Sequence, residues 1–414
     1  MARTPAGFPD GTRLTDFVTL GVVAKEFPRQ RVNEILEQTG TASKRHRALP
    51  ANVVVYYVIA LALFMQVSYG EVLRCLLEGL RWLRLDDACM PVAGRSAISK
   101  ARSRLGIEPI RRLHDETVRP IAVRETRGAW YREWRIVSLD GSSLDTADTE
   151  ENARKFGRPG ASRGSSAFPK LRFVSLVENG THVLFGSAWG PYRVQELTLT
   201  EHVLPHLKPG MLCLADRNFH SYRLWEKARA TGAQLVWRVK RNARLKPLVR
   251  FADGSYSARI YPSSADRKCD RQGITVRVVD YKLKNVPGAD PVYRLITTIL
   301  SPEDAPAQEL AALYHERWEI ETAFGELKTH LRGAQIVLRS KTPDLVVQEL
   351  YGLLMAHFAV RSLMHEAALQ AEVDPDELSF VHSVRVIRRK LPIACSFFPS
   401  GPDSLPGGSD CRDP

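Results

Sequence analysis

The spacing of apolar residues changes character near Trp134, and that change constrains the fold more than any other feature of the chain. Before it, residues 13–130 read as helices: Val53–Val67 and Tyr69–Leu83 are apolar-rich and free of proline. After it come short apolar runs separated by turn residues. Arg135–Asp140 reads as a strand ending at an acid and a turn glycine, Gly141. Leu171–Val177 and Thr181–Ala188 read as a hairpin joined by Glu178-Asn179-Gly180, because an Asn-Gly pair accepts the positive φ of a tight turn. Glu196–Leu207 reads as a helix and Gly210–Asp216 as a second strand ending at an acid. Tyr222–Thr231 reads as a helix and Ala233–Lys240 as a strand. A meander followed by helix–strand alternation is best buried as an α/β fold, a mixed sheet covered by helices.

The alternation stops at residue 241. Ser255–Tyr261, Thr275–Lys282 and Pro291–Leu300 read as strands with no long helical pattern among them, a β-rich insertion over 241–300. A helix then begins near Ala307, after Ser301-Pro302-Glu303-Asp304-Ala305-Pro306, and another runs from about Asp344 to Ala371. The tail from Pro399 to Pro414, rich in Pro, Gly, Ser and Asp, reads as disordered.

Charge narrows the partners. The chain of 414 residues carries 59 Lys+Arg against 46 Asp+Glu, a net charge of +13. Two stretches concentrate that excess and contain no acid. Residues 152–177 hold Arg154, Lys155, Arg158, Arg163, Lys170 and Arg172. Residues 227–252 hold Lys227, Arg229, Arg238, Lys240, Arg241, Arg244, Lys246 and Arg250. Long acid-free basic blocks suit a polyanion, nucleic acid before an anionic membrane. The basic residues from Arg95 to Arg104 fit either a DNA-facing helix or a solvated one. Several classes are excluded. Val53–Met65, the most apolar run, has 13 residues, short of the roughly 20 a membrane span needs. The first 17 residues lack the apolar centre of a signal peptide. Six scattered cysteines without a C-x-x-C pair support neither a disulfide framework nor a zinc cluster and suggest the cytosol. Gly157–Gly164 is glycine-rich but lacks the Lys-Ser/Thr of a phosphate loop.

The chemistry concentrates on the helix after residue 307. Tyr314, Arg317, Glu321 and Lys328 fall within about 60° of one another on a helical wheel. They border an apolar stripe of Leu313, Ile320, Phe324, Leu327 and Leu331, which places Glu316, Glu319 and Glu326 on a solvated far side. On helix geometry alone an ordinary set of i,i+4 ion pairs is the favoured account of the four. Asp140 and Asp216, each at the end of a strand, tip the balance, since carboxylates there face a crevice. Three converging carboxylates are hard donors suited to Mg²⁺ or Mn²⁺. Two such ions roughly 4 Å apart serve phosphodiester chemistry.

Tyr314-x₂-Arg317-x₃-Glu321-x₆-Lys328 matches the YREK signature of bacterial transposases of the insertion-sequence-four family in every residue and spacing. Leu139-Asp140-Gly141-Ser142 resembles that family's first-aspartate motif, and Asp148-Thr149-x-x-Asn152 the segment after it. Ala215-Asp216-Arg217-Asn218-Phe219 resembles the second, with Asn218 where the family more often has glycine. The resemblance covers roughly residues 13–390.

It implies a ribonuclease-H-like core with a DDE triad of Asp140, Asp216 and Glu321, holding two Mg²⁺ or Mn²⁺ ions. Residues 1–130 are then expected to form a helical DNA-binding domain. Residues 131–240 and 301–371 form the two parts of the catalytic core around the 241–300 insertion, and residues 372–414 a C-terminal region. The implied activity is cut-and-paste transposition in the bacterial cytoplasm, on the nucleoid when bound to DNA. Terminal inverted repeats in double-stranded DNA are bound and cleaved, and the freed 3′-hydroxyl is joined to target DNA, by a homodimer and without a membrane partner. Tyr314, Arg317 and Lys328 are expected at phosphates, with Arg238, Lys240 and Arg241 on the DNA backbone. Trp318 either stacks on a displaced base or packs against a neighbouring helix. A metal-dependent DNA nuclease and a catalytically inactive DNA-binding derivative are the competing readings.

Overall fold

The computed structural model describes residues 16–44, 49–82, 93–161, 164–165, 168–283, 290–333 and 336–389. The expected disordered tail and Arg163 lie outside the described residues.

The N-terminal part is helical: α1 (Asp16–Glu26), α2 (Arg29–Gln38), α3 (Ala51–Leu63), α4 (Tyr69–Trp82), α5 (Arg95–Leu105) and α6 (Glu108–Thr117). The apolar run that begins at Val53 lies in α3, whose residues from Val53 to Leu63 are all buried, so its hydrophobicity serves a core. Among the described residues no helix is long and apolar enough to cross a membrane.

From Trp130 the chain builds a sheet. Its elements in order are β1 (Trp130–Tyr131), β2 (Trp134–Asp145), α7 (Glu150–Phe156), the two-residue strands β3 (Gly160–Ala161) and β4 (Gly164–Ser165), β5 (Lys170–Glu178), β6 (Val183–Pro191) and α8 (Glu196–Val203). Then follow β7 (Met211–Ala215), α9 (Tyr222–Ala230), β8 (Gln234–Arg238), β9 (Tyr256–Ile260), α10 (Ser264–Lys268), β10 (Ile274–Tyr281) and β11 (Tyr293–Thr297). The spatial order is β6-β5-β2-β7-β8-β11-β10-β9. β6, β5 and β2 are antiparallel, while β2, β7 and β8 are parallel. That five-strand order and its directions form the ribonuclease-H-like core.

The β-rich stretch over 241–300 contains the expected strands, and they extend this same sheet: β11 pairs antiparallel with β8, and β10 and β9 continue the edge. β2 also differs from expectation. It does not end at Asp140 but runs on to Asp145, pairing with β5 throughout. Gly141 is therefore no turn residue. It is a close approach: a Cβ there would stand 2.8 Å from Cδ of Glu196.

The last helices are α11 (Ala307–His315), α12 (Glu319–Gly325), α13 (Pro343–Ala371) and α14 (Phe380–Arg389). α13 binds the two halves of the molecule. Gly352 lies so close to α3 that a Cβ would meet the Val58 carbonyl oxygen at 2.4 Å. Arg102 of α5, 2% exposed, reaches across to Gln348, Ser340 and the Leu345 carbonyl. This member of the basic series on α5 is thus a structural tie, whereas Lys100 and Arg104 are exposed.

Candidate active site

The parallel register of β2 and β7 pairs Leu139 with Ala215, so the next residues, Asp140 and Asp216, leave the pairing side by side. Alternation along the strands sets their face. Ile136, Leu212 and Leu214 pack with Leu310, Leu313 and Tyr314 of α11. Asp140 lies four residues beyond Ile136 and so points the same way. α12 continues over that face, with Phe324 set edge-on to Phe173 at 5.4 Å.

The signature residues meet this pair of aspartates. Arg317, 7% exposed, sends Nη1 to within 3.5 Å of Asp140 Oδ2 and Nη2 to within 3.3 Å of Glu321 Oε1. Lys328 donates from Nζ to Ser142 Oγ at 3.0 Å, two residues along β2 from Asp140. Burial pushes the Asp140 carboxyl up to about 6; the Gly141 N–H and Arg317 pull it down, while Glu196 and Asp216 add to the rise. Burial lowers the Lys328 ammonium, and Arg332 and Lys170 lower it further. Tyr314, expected at a phosphate, is 5% exposed, and its hydroxyl points at the Ala215 carbonyl, where it braces the strand end before Asp216.

Trp318 stands largely in the open. It is 58% exposed, with the Arg317 guanidinium 5.5 Å from its ring centre. It borders a cavity of about 330 Å³ shared with Arg238, Tyr293, Tyr314 and Arg317. Arg238 stacks on Tyr293 at 4.3 Å and pairs with Asp290. Lys240 and Arg241 are exposed at the start of the β8–β9 connection, which also presents Arg244, Lys246 and Arg250.

The helix read as one regular element is interrupted. A 3₁₀ turn, Glu316–Trp318, separates α11 from α12, and a π-type turn, Glu326–Leu331, follows. A wheel of constant pitch therefore misplaces its acids. Glu316 is exposed as expected, but Glu319 and Glu326 are not on a solvated side. Glu326 is 4% exposed and receives Arg361, His182 and His357. Burial alone would raise its carboxyl; those hydrogen bonds and the Arg361 charge hold it well below the usual range. Glu319 accepts from the Gly180 N–H, yet burial, with the charges of Asp376 and Glu316, pushes it up to about 8. Glu321, with 47% of its side chain accessible, is exposed as Glu316 is. Glu196, which lies over Gly141, is a further carboxylate beside Asp140 that sequence reasoning missed. Its only sequence signal was the glycine opposite.

Two aspartates side by side at adjacent strands, one of them linked through Arg317 to a helix-borne glutamate, suit phosphodiester chemistry, and the family comparison agrees. The model of the insertion element 4 transposase N-terminal region matches residues 17–115, and that of the transposase DDE domain matches residues 132–359. The chain belongs to the DDE-domain transposases, enzymes that cleave DNA, transfer strands and depend on divalent metal.

Two curated relatives bear transposase names. It is 27% identical over 366 residues to transposase InsG for insertion sequence element IS4 of Escherichia coli K12, spanning 87% of this chain and 80% of that protein. It is 26% identical over 216 residues to the putative transposase InsZ of the same organism, spanning 52% of this chain and 69% of that protein. Among solved structures, the piggyBac transposase synaptic complex with hairpin DNA matches 91% of this chain and 78% of its own, with a TM-score of 0.41 and 13% identity.

Proposed function

We propose that Asp140, Asp216 and Glu321 are the catalytic triad of a cut-and-paste transposase acting at terminal inverted repeats. The observation that carries this reading is the β2–β7 register, which sets the two aspartates side by side with Arg317 linking Asp140 to Glu321. The donors are all hard oxygens on rigid elements, and the Asp140 carboxyl, raised chiefly by burial and further by Glu196 and Asp216, gains from a nearby positive charge; both fit a divalent cation, Mg²⁺ or Mn²⁺. A pair of such ions would activate water and stabilise the leaving oxygen.

The chain's own groups do the rest. Arg317 can fork to a phosphate, and Lys328, which has no carboxylate partner among the described residues, offers a point charge beside Ser142. Trp318 offers an open ring to a displaced base. The exposed cations of the β8–β9 connection and of α5 track the DNA backbone, and the N-terminal helices α1 to α6 grip the element end. Two ends held together imply a homodimer, working in the cytoplasm.

The test is a supercoiled plasmid carrying the element ends, incubated with Mg²⁺. Double-strand excision with hairpinned ends is expected. Nicking without hairpins points to a nuclease, and binding alone to an inactive derivative. Asp140→Asn, Asp216→Asn and Glu321→Gln should each abolish cleavage while end binding persists; substantial cleavage by any one removes it from the triad.

A further inference from the structure

On the opposite side of α12 from Glu321, a second group of ligand atoms converges. His182 closes the β5–β6 turn with a φ of 57°, a left-handed conformation that costs a non-glycine residue energy unless its surroundings hold it. Its ring is 3% exposed. Nδ1 lies 3.2 Å from Glu326 Oε1 and also meets the Arg361 guanidinium. Nε2 is buried and makes no hydrogen bond. Nε2 lies 3.1 Å from Asp376 Oδ1 and 3.7 Å from Glu319 Oε2. Three candidate ligand atoms thus face one another, all within 4.8 Å.

A cation at the centre would satisfy all three at once; without one they must share a proton. Two ligand atoms each about 2.1 Å from one ion are at most about 4.2 Å apart. Both measured separations meet that limit, the third lies within 4.8 Å, and Asp376 is the most exposed of the three. The Glu326 carboxylate behind His182 supplies the outer contact that orients metal-bound imidazoles. A cavity of about 550 Å³ opens on the group and leaves room for water as a further ligand.

We propose that His182, Glu319 and Asp376 form a zinc site, separate from the catalytic carboxylates. A mixed nitrogen and oxygen donor set suits Zn²⁺ and disfavours Mg²⁺, which prefers oxygen alone. The ion would join three segments far apart in sequence: the β5–β6 turn, α12, and the short turn Pro375–Glu377 ahead of α14. It would thereby clamp the C-terminal segment onto the helix that carries Glu321.

The test uses the full chain with Asp140→Asn, Asp216→Asn and Glu321→Gln in place, so that the catalytic carboxylates do not compete. The protein is stripped with a chelator and titrated with Zn²⁺ against a chromophoric competitor, and its melting is followed with and without Zn²⁺. One zinc per chain and a raised Tm are expected. Adding Asp376→Asn, at the accessible edge of the site, should weaken binding at least tenfold and abolish the Tm shift; Glu319→Gln should do the same. Co²⁺ should give visible absorption bands that both variants lose. Absence of zinc binding, which would mean that the three groups share a proton instead, overturns the proposal. So does binding that neither substitution changes. These readouts report metal binding alone and stand whatever the catalytic variants do to cleavage.

Discussion

Lys328 is a half-buried cation whose hydrogen-bond acceptor is the Ser142 hydroxyl. Holding an ammonium there costs desolvation, as its lowered pKa records. A phosphate arriving beside Asp140 would offset that cost. Replacing Lys328 with alanine should slow cleavage roughly ten- to a hundred-fold, in line with about 1.5–3 kcal/mol for a charged hydrogen bond. Glu316→Ala, on the exposed part of the same segment, should leave the rate unchanged. Equal losses in single-turnover cleavage would remove Lys328 from the site. Glu326 would be a poor control, because its substitution breaks a buried ion network.

At the scale of elements, that network fixes the turn after α12. Glu326 keeps its charge because Arg361, His182 and His357 surround it. Its carboxyl is held well below its unfolded value of 4.5. The pairing therefore contributes stability at pH values above about 4.5 and loses it as the pH falls through the lower folded value. Glu326→Gln should cost about 3–5 kcal/mol near neutral pH, as breaking a buried ion pair does. The gap from the parent protein should narrow below pH 4.5. Denaturant unfolding at several pH values measures it; a gap of constant size would show that shape rather than charge is lost. The π-type turn over Glu326–Leu331 belongs to this arrangement, since an irregular turn alters which residues face the core.

At the scale of the molecule, one hydrophobic core runs from the N-terminal helices into the sheet, with α13 shared by both. Residues 131–389 alone would leave the α3-facing side of α13 bare. That fragment should be insoluble or bind hydrophobic dyes, and a soluble, cooperatively unfolding fragment would refute the dependence. Gly352→Val should destabilise the whole chain, because its side chain meets the backbone of α3, which cannot move aside. The β8–β9 connection should act on DNA affinity. Neutralising Lys240, Arg241, Arg244, Lys246 and Arg250 together should weaken binding and flatten its dependence on log salt by about 0.9 for each DNA phosphate that no longer meets a cation. An unchanged slope in a salt titration would place the DNA elsewhere.

Much of this was legible in the chain. Alternation and turn residues located the strands of the sheet, and the spacing of Tyr314, Arg317, Glu321 and Lys328 singled out the helix bearing the third carboxylate. These signals are local, since a strand or helix displays its buried face in its own period. What stayed hidden depends on partners far away in sequence. Asp140 looked like a strand end because Gly141 follows it, yet Gly141 is small to admit Glu196. Glu319 and Glu326 looked solvated because a wheel assumes constant pitch; Gly180, His182, His357 and Arg361 draw them inward. The meeting of His182 with Asp376 has no trace in either segment alone. The sequence by itself determined which residues carry the chemistry and which faces are apolar. Only the tertiary structure decided which charges are buried together, because burial is set by whatever packs on top, and that comes from elsewhere in the chain.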